Sequence, residues 1–283
     1  MKKIIALFSL VLAVGSLSAQ ELPKLSQLSK SDHTVGVTHL SLQYSRPSVR
    51  GRVIFGEVVP FGEVWRLGAN EPTQITTSNE LTFAPLDGKA QVLPAGTYAI
   101  FALPAADGAW TVVFNTDIDQ WGAGNYDAAK NLVSVQVKAV ENAFTETLLI
   151  DINNVTLTGA SLVIAWDKLK VEVPFTVDTD KHAQANIDAA VATGKDLDKV
   201  YAAAANYYFN SKNDLEKAIT YVDKSIAIQR SFSNVFLKAR ILYKKGDKAS
   251  AIKLAEDAKK MAEDAQDERW IGYISETLDE WKK

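Results

Sequence analysis

Val171-Glu-Val-Pro-Phe-Thr-Val177 alternates apolar with other side chains, and three polar residues follow it, Asp178-Thr179-Asp180. Lys181-His-Ala-Gln-Ala-Asn-Ile-Asp-Ala-Ala-Val-Ala192 then runs in alanine-rich, helical style. The chain changes period here. All eight prolines, Pro23 to Pro174, lie before this point, whereas residues 179–283 hold 18 alanines, three glycines and no proline. Proline and glycine punctuate strands and turns, while alanine without proline favours helix. The charge divides at the same place. Residues 20–178 carry 11 basic and 17 acidic side chains, net −6, and residues 179–283 carry 18 and 17, net +1. The expected architecture is a two-domain α+β chain: an antiparallel β-sandwich over 20–178 and an all-α domain over 179–283.

Upstream of the break the chain reads in period two. Leu40, Leu42 and Tyr44 alternate with Ser41, Gln43 and Ser45. Thr97 to Leu103, Trp110 to Phe114, Leu132 to Val137, Thr147 to Ile152, Ser161 to Trp166 and Val171 to Val177 are further β-branched or aromatic runs. Turn residues such as Asp107-Gly108 and Thr158-Gly159 bound them. Many short strands without helical intervals predict a sandwich of about nine or ten strands.

Downstream, Gly194 is expected to end one helix before Asp196 caps the next, and Gly246 with Asp247 repeats the device. Ala205 and Ala239 stand 34 residues apart, and Ala218 and Ala251 stand 33 apart. Tyr208 roughly matches Leu242, Val222 matches Ala255 and Ser225 matches Ala258. This spacing of small residues resembles the tetratricopeptide repeat over about 197–264, without its helix-A Trp or terminal Pro. Helices near 181–193 and 266–281 are expected to cap the two units. Such a part either offers a protein partner a concave surface or serves as a plain helical bundle.

Residues 1–19 read as a signal peptide. Lys2 and Lys3 precede an apolar run from Ile4 to Leu17, and Leu17-Ser18-Ala19 supplies a small residue at the cleavage point. The run falls short of the roughly 20 residues a membrane span needs. The expectation is an exported protein, periplasmic or extracellular and soluble, with no membrane segment left after cleavage. Without cysteine, an acylated lipoprotein, thiolate metal sites and cysteine nucleophiles are excluded, and folding proceeds without disulfides. A net charge of −3 lacks the basic excess that nucleic-acid binding leaves.

Two clusters stand out as candidate ligand sites. The first runs from Tyr44 to Thr73 and contains Arg46, Arg50, Arg52, Trp65, Arg66 and Asn70. Pro47 forces Arg46 out of the helical region, so it is presented from an extended strand end. Its arginines either pair with Glu57 and Glu63 to hold the stretch 47–63, or receive an acidic ligand with Trp65 as a platform. Arg46 and Arg52 are expected to pin the segment. Arg66, Trp65 and Asn70 are expected nearer a cleft, Trp65-Arg66 ending a strand. The second cluster holds Asn115, Asp117, Asp119, Gln120, Trp121 and Tyr126. Those residue types suit sugar hydroxyls, although such loops also satisfy their own backbone.

The strings Tyr44-Ser-Arg-Pro47, Arg50-Gly-Arg52, Val59-Pro-Phe-Gly-Glu-Val-Trp-Arg66, Leu93 to Phe101, Trp110 to Asn115 and Gln120-Trp-Gly122 resemble a family. It is the secreted bacterial domain of unknown function 2911, of Bacteroidota-type bacteria, over about residues 23–177. The resemblance implies an exported all-β domain and brings no activity, substrate or catalytic residue.

No signature of a zincin, an α/β-hydrolase, a P-loop or a dinucleotide site occurs, and no cofactor or metal is expected. Asp32-His33 beside the turn at Gly36 is the nearest approach to a metal pair. The reading is a non-catalytic binding or assembly module of the envelope, for a carbohydrate or anionic ligand on the sandwich and a protein partner on the helices. The alternative is a glycan-active hydrolase using acids of the 115–126 loop.

Overall fold

A computed structural model describes residues 22–84 and 88–283. The signal peptide read in residues 1–19 lies outside them. The chain divides into two units, one ending at Val177 and one beginning at Asp178. Among the described residues no helix is long and apolar enough to cross a membrane.

The first unit has ten strands: β1 (Gln27–Val35), β2 (Thr38–Arg46), β3 (Ala69–Thr77), β4 (Leu81–Phe83), β5 (Gln91–Leu93), β6 (Gly96–Leu103), β7 (Ala109–Asn115), β8 (Asn131–Lys138), β9 (Val140–Asn153) and β10 (Gly159–Thr176). They form two antiparallel sheets, ordered β1-β2-β3-β6-β7-β8 and β5-β4-β10-β9. One core lies between the sheets because the period-two pattern turns alternate residues inward. Leu40, Leu42, Ile100, Val112 and Phe114 of the large sheet and Phe83, Leu162, Ile164, Val173 and Phe175 of the small one share it, all buried. Phe83 meets Phe114 across it at 4.7 Å, and the Ile150 amide donates to the Tyr44 hydroxyl at 2.9 Å.

The structure revises three strand readings. The runs 161–166 and 171–177 are one 18-residue strand, β10. Its register against β9 shifts around Asp167, whose φ is +52°, and the bulge interrupts alternation without ending the ladder. Trp65-Arg66 does not end a strand: Trp65 makes a single bridge to Ala102, and the strand begins afterwards, at Ala69. β1 has no apolar alternation to betray it, since as an edge strand it is largely exposed.

The second unit holds α1 (Thr179–Ala192), α2 (Leu197–Tyr207), α3 (Leu215–Ile228), α4 (Phe232–Lys245), α5 (Lys248–Asp264) and α6 (Glu268–Trp281), with a π-helical turn at Tyr208–Lys212. Of the repeat-matched residues, Ala205, Ala239, Ala218, Ala251, Val222, Ala255, Ser225, Ala258 and Tyr208 are buried, as close helix approach requires, and Leu242 is half-buried. Packing is heaviest between α2 and α3 and between α4 and α5, the pairs that the repeat spacing predicts. Gly246 closes α4 at φ +100°, a conformation glycine adopts without steric cost, and Asp247 caps α5 through the Ser250 amide. Asp196 departs from that scheme. It stands at the α2 N-cap in a left-handed conformation, and its carboxylate pairs with Lys199 instead of capping.

Candidate functional site

Between β2 and β3 the chain leaves the sheet for some 22 residues and folds against both sheets. The Val49 amide donates to the Glu146 carbonyl and the Leu148 amide to the Pro47 carbonyl. Ile54, Val59, Trp65 and Leu67 point into the core. Trp65 stacks on Trp166 of β10 with centroids 5.8 Å apart and planes at 14°, and Phe55 and Trp110 meet Trp65 edge-on. Above this aromatic floor opens a cleft of about 450 Å³. Arg50, Arg52 and Arg66 line it, with Leu25, Pro47 and Val58 among its walls.

Each guanidinium is aimed by a backbone carbonyl. Arg52 donates from Nε to Val49 at 3.0 Å and from a terminal nitrogen to Ser48 at 2.6 Å. Arg50 donates to Leu25 at 3.0 Å, and Arg66 Nε to Gly68 at 3.3 Å. Carbonyls orient a guanidinium without neutralising it, and each arginine has five N–H donors. Of the two readings, the pairing with Glu57 and Glu63 is not found: among the described residues neither carboxylate meets an arginine. Both glutamates are exposed, so water solvates them at less entropic cost than an ordered pair would carry.

The backbone here is held in uncommon conformations. Arg50, Leu67 and Asn70 have φ of +51°, +52° and +57°, each costing on the order of 1–2 kcal/mol for a side chain with Cβ. Gly68, at φ +151°, lets the chain cross the Ser45 carbonyl: a Cβ there would stand 2.9 Å from that oxygen. Clustered strain of this kind is a mark of functional segments. Residues 24–26 are strapped beside the cleft. Asn70 Nδ2 donates to the Ser26 carbonyl at 3.2 Å, so its amide is engaged instead of facing outward. Lys24 meets Glu71 at 2.8 Å, and that hydrogen-bonded ammonium holds the Glu71 carboxyl below its ordinary value.

Arg46 belongs to the frame and not to the cleft. Its Nε donates to the Leu148 carbonyl at 3.0 Å, tying β2 to β9.

The second cluster has a different character. Asn115 is fully buried; Nδ2 donates to the Asp127 carbonyl and to Asn131 Oδ1, while Oδ1 accepts the Asp117 amide at 2.8 Å. Gln120 Nε2 donates to the Asp117 carbonyl at 3.0 Å, and Gln120 Oε1 is buried without a partner. Tyr126 packs on Phe101 at 5.0 Å and its hydroxyl accepts from Asn131. Lys130 pairs with Asp117 at 2.6 Å and, by that hydrogen bond first, holds its carboxyl below its ordinary value. Asp119 is exposed and donates only its amide, to Asp117. Trp121 is 63% exposed. The two clusters touch at one point, where Gly122 lies against the Arg66 guanidinium.

His33 Nε2 approaches Ser31 Oγ at 2.9 Å and Asp151 at 3.4 Å. No group of three His, Cys, Asp or Glu side chains suited to a metal occurs among the described residues. The helical unit has its own groove of about 390 Å³ on α4 and α6, with Arg240, Tyr243 and Lys244 facing Glu276, Glu280 and Trp281.

Sequence reading placed Arg50 in the arginine cluster without giving it a role of its own, and missed Leu25, Val58 and Trp166 as cleft residues. Arg50 stood in the Arg-Gly-Arg string, so a signal existed. Trp166 arrives from the opposite sheet, 100 residues from Arg66, and no local pattern announces that.

Fold and cleft together define a class: an all-β sandwich with an arginine-lined cleft, followed in the chain by a helical-repeat unit. A family model described as a protein of unknown function, DUF2911, matches residues 26–175, and the chain belongs to that family. The match spans the cleft arginines and ends before the helices begin. Comparison with curated proteins and with solved structures gives no significant match.

Proposed function

We propose that this protein is an exported, non-catalytic binding module of the cell envelope, whose sandwich cleft takes a ligand bearing an anionic group. The observation that carries the reading is the set of three guanidinium groups, Arg50, Arg52 and Arg66, on one concave surface; among the described residues none of them forms an ion pair, and the Glu146 carboxylate accepts from the Arg50 backbone amide. Arginine forks match carboxylate, sulfate and phosphate in a bidentate manner, and over an aromatic floor they do so in reduced dielectric. Acidic sugars fall within this ligand class, and the exposed ring of Trp121 stands one residue from Gly122 at the Arg66 margin. The groove on α4 and α6, with basic and acidic walls and aromatic side chains, supports a protein partner for the helical unit.

Thermal-shift and calorimetric titration of the chain from Gln20 onward, against acidic and neutral glycans and simple carboxylates, tests the cleft. Binding of acidic members that weakens with salt and is lost in Arg66→Gln is the expected result. Equal response to neutral and acidic members, or binding indifferent to that change, overturns it. Export is tested by N-terminal sequencing of the secreted chain, which is expected to begin at or near Gln20.

A further inference from the structure

The arginines explain only half of the cleft. Its mouth is apolar: Leu25 and Val58 line it while 79% and 41% exposed. Val53 and Phe61, on the same excursion as Val58, are 55% and 40% exposed. The Val58 amide donates to the Val53 carbonyl, and Phe61 packs over Gly56. Apolar groups gathered beside a polar concavity mark a surface awaiting an apolar partner. The volume points the same way. At about 450 Å³ the cleft falls in the range of sites for small organic molecules and is far larger than a bare inorganic anion requires.

Resting on the anion-binding reading above, we propose that the ligand is an anionic amphiphile taken up one molecule at a time. A carboxylate, sulfate or phosphate head lies among Arg50, Arg52 and Arg66. An alkyl or acyl tail leaves across Leu25 and Val58. The division of labour follows from geometry. Each guanidinium has an N–H held by a carbonyl of the cleft wall, which presents the remaining donors to the same space. The tail meets residues with no polar side-chain atoms and removes its own surface and theirs from water. A single molecule, and not a bilayer face, is the occupant, because the cationic groups converge on a concavity. A flat membrane contact would spread them over a plane and surround them with apolar anchors.

Calorimetry with the chain from Gln20 onward, using inorganic phosphate and butyl, hexyl and octyl phosphate below their micellar concentrations, decides the question. Octyl β-glucoside and octyltrimethylammonium serve as uncharged and cationic controls. Affinity is expected to rise along the phosphate series by up to about fourfold for each methylene buried. The two controls should bind at least tenfold more weakly than octyl phosphate. Arg52→Gln and Arg66→Gln should weaken every phosphate alike. Leu25→Ser and Val58→Ser, both at exposed positions, should flatten the chain-length dependence. If all phosphates bind equally and need the arginines, the amphiphile is overturned while the anion-binding cleft stands. If no anion of any length binds, both readings fall. If the chain binds phosphatidylglycerol vesicles but no monomeric alkyl phosphate, the single-molecule proposal is overturned in favour of a membrane face.

Discussion

The two polar clusters of the sandwich look alike as strings of residues and behave in opposite ways once folded. In the loop after β7, Asn115, Asp117, Tyr126 and Asn131 find their partners inside the protein. Asn115 alone joins Asp117, Asp127 and Asn131. Around the cleft, Arg50, Arg52 and Arg66 are aimed by carbonyls and form no ion pair among the described residues. A buried group with its hydrogen bonds made fixes the fold, and a charged group oriented but not neutralised is available to something outside it. Residue type does not separate these cases. The partner list does.

The comparison can be broken or sharpened by substitution. The largest effect is expected at the floor shared by frame and cleft. Trp166→Ala removes a side chain 2% exposed that stacks on Trp65, and should cost roughly 3–5 kcal/mol in a denaturant melt. A cost near zero would mean the floor is not packed as described. Next comes Asn115→Ala, which leaves the Asp117 amide and the Asn131 side chain without their partner. A loss of about 2–3 kcal/mol is expected, with anion binding at the cleft unchanged.

Arg46 and Arg66 make a sharper pair. Arg46→Ala deletes a charge-assisted bond between the sheets and should destabilise by about 1.5–3 kcal/mol. Arg66→Ala should cost under about 1 kcal/mol while abolishing capture of the anion. Equal destabilisation by both, measured side by side, would place Arg66 in the frame and remove it from the site.

The smallest effect is one of pH. The Asp117 carboxyl is held below its ordinary value of 3.8 by the Lys130 hydrogen bond. A folded-state pKa below the unfolded one gives stability that is present above about pH 4 and is lost as pH falls through the depressed value. Acid titration of Asp117→Asn against the parent should show the parent more stable above about pH 4 and the two curves converging as the pH falls below it, and a difference that does not change with pH would refute the ion pair's role.

Much of this architecture was legible beforehand. β6, β7 and β8 were found as β-branched and aromatic runs bounded by turn residues, because their apolar side chains fill buried clusters. The helical repeat was found from Ala205, Ala218, Ala239 and Ala251, because only small residues allow helices that close. β1 and β3 were not found. β1 is largely exposed, and Ala69-Asn-Glu-Pro-Thr-Gln74 of β3 carries mostly polar side chains. The Asp196 cap failed for a local reason: the left-handed backbone at that residue turns its side chain towards Lys199.

By itself the amino-acid order determined the two-part division, the β and α character of the parts and the residues that look chemically unusual. All of these depend on periodicity and composition within a few neighbouring residues. Only the tertiary structure decided which unusual residues face a common space. Arg50, Arg52 and Arg66 share a cleft with Trp166 because two sheets pack face to face, which brings β10 beneath an excursion 100 residues earlier. Glu57 and Glu63, a few residues from those arginines, stay in water because chain proximity does not bring side chains into contact. Convergence of distant residues is set by long-range packing of the core, and nothing local in the chain encodes it.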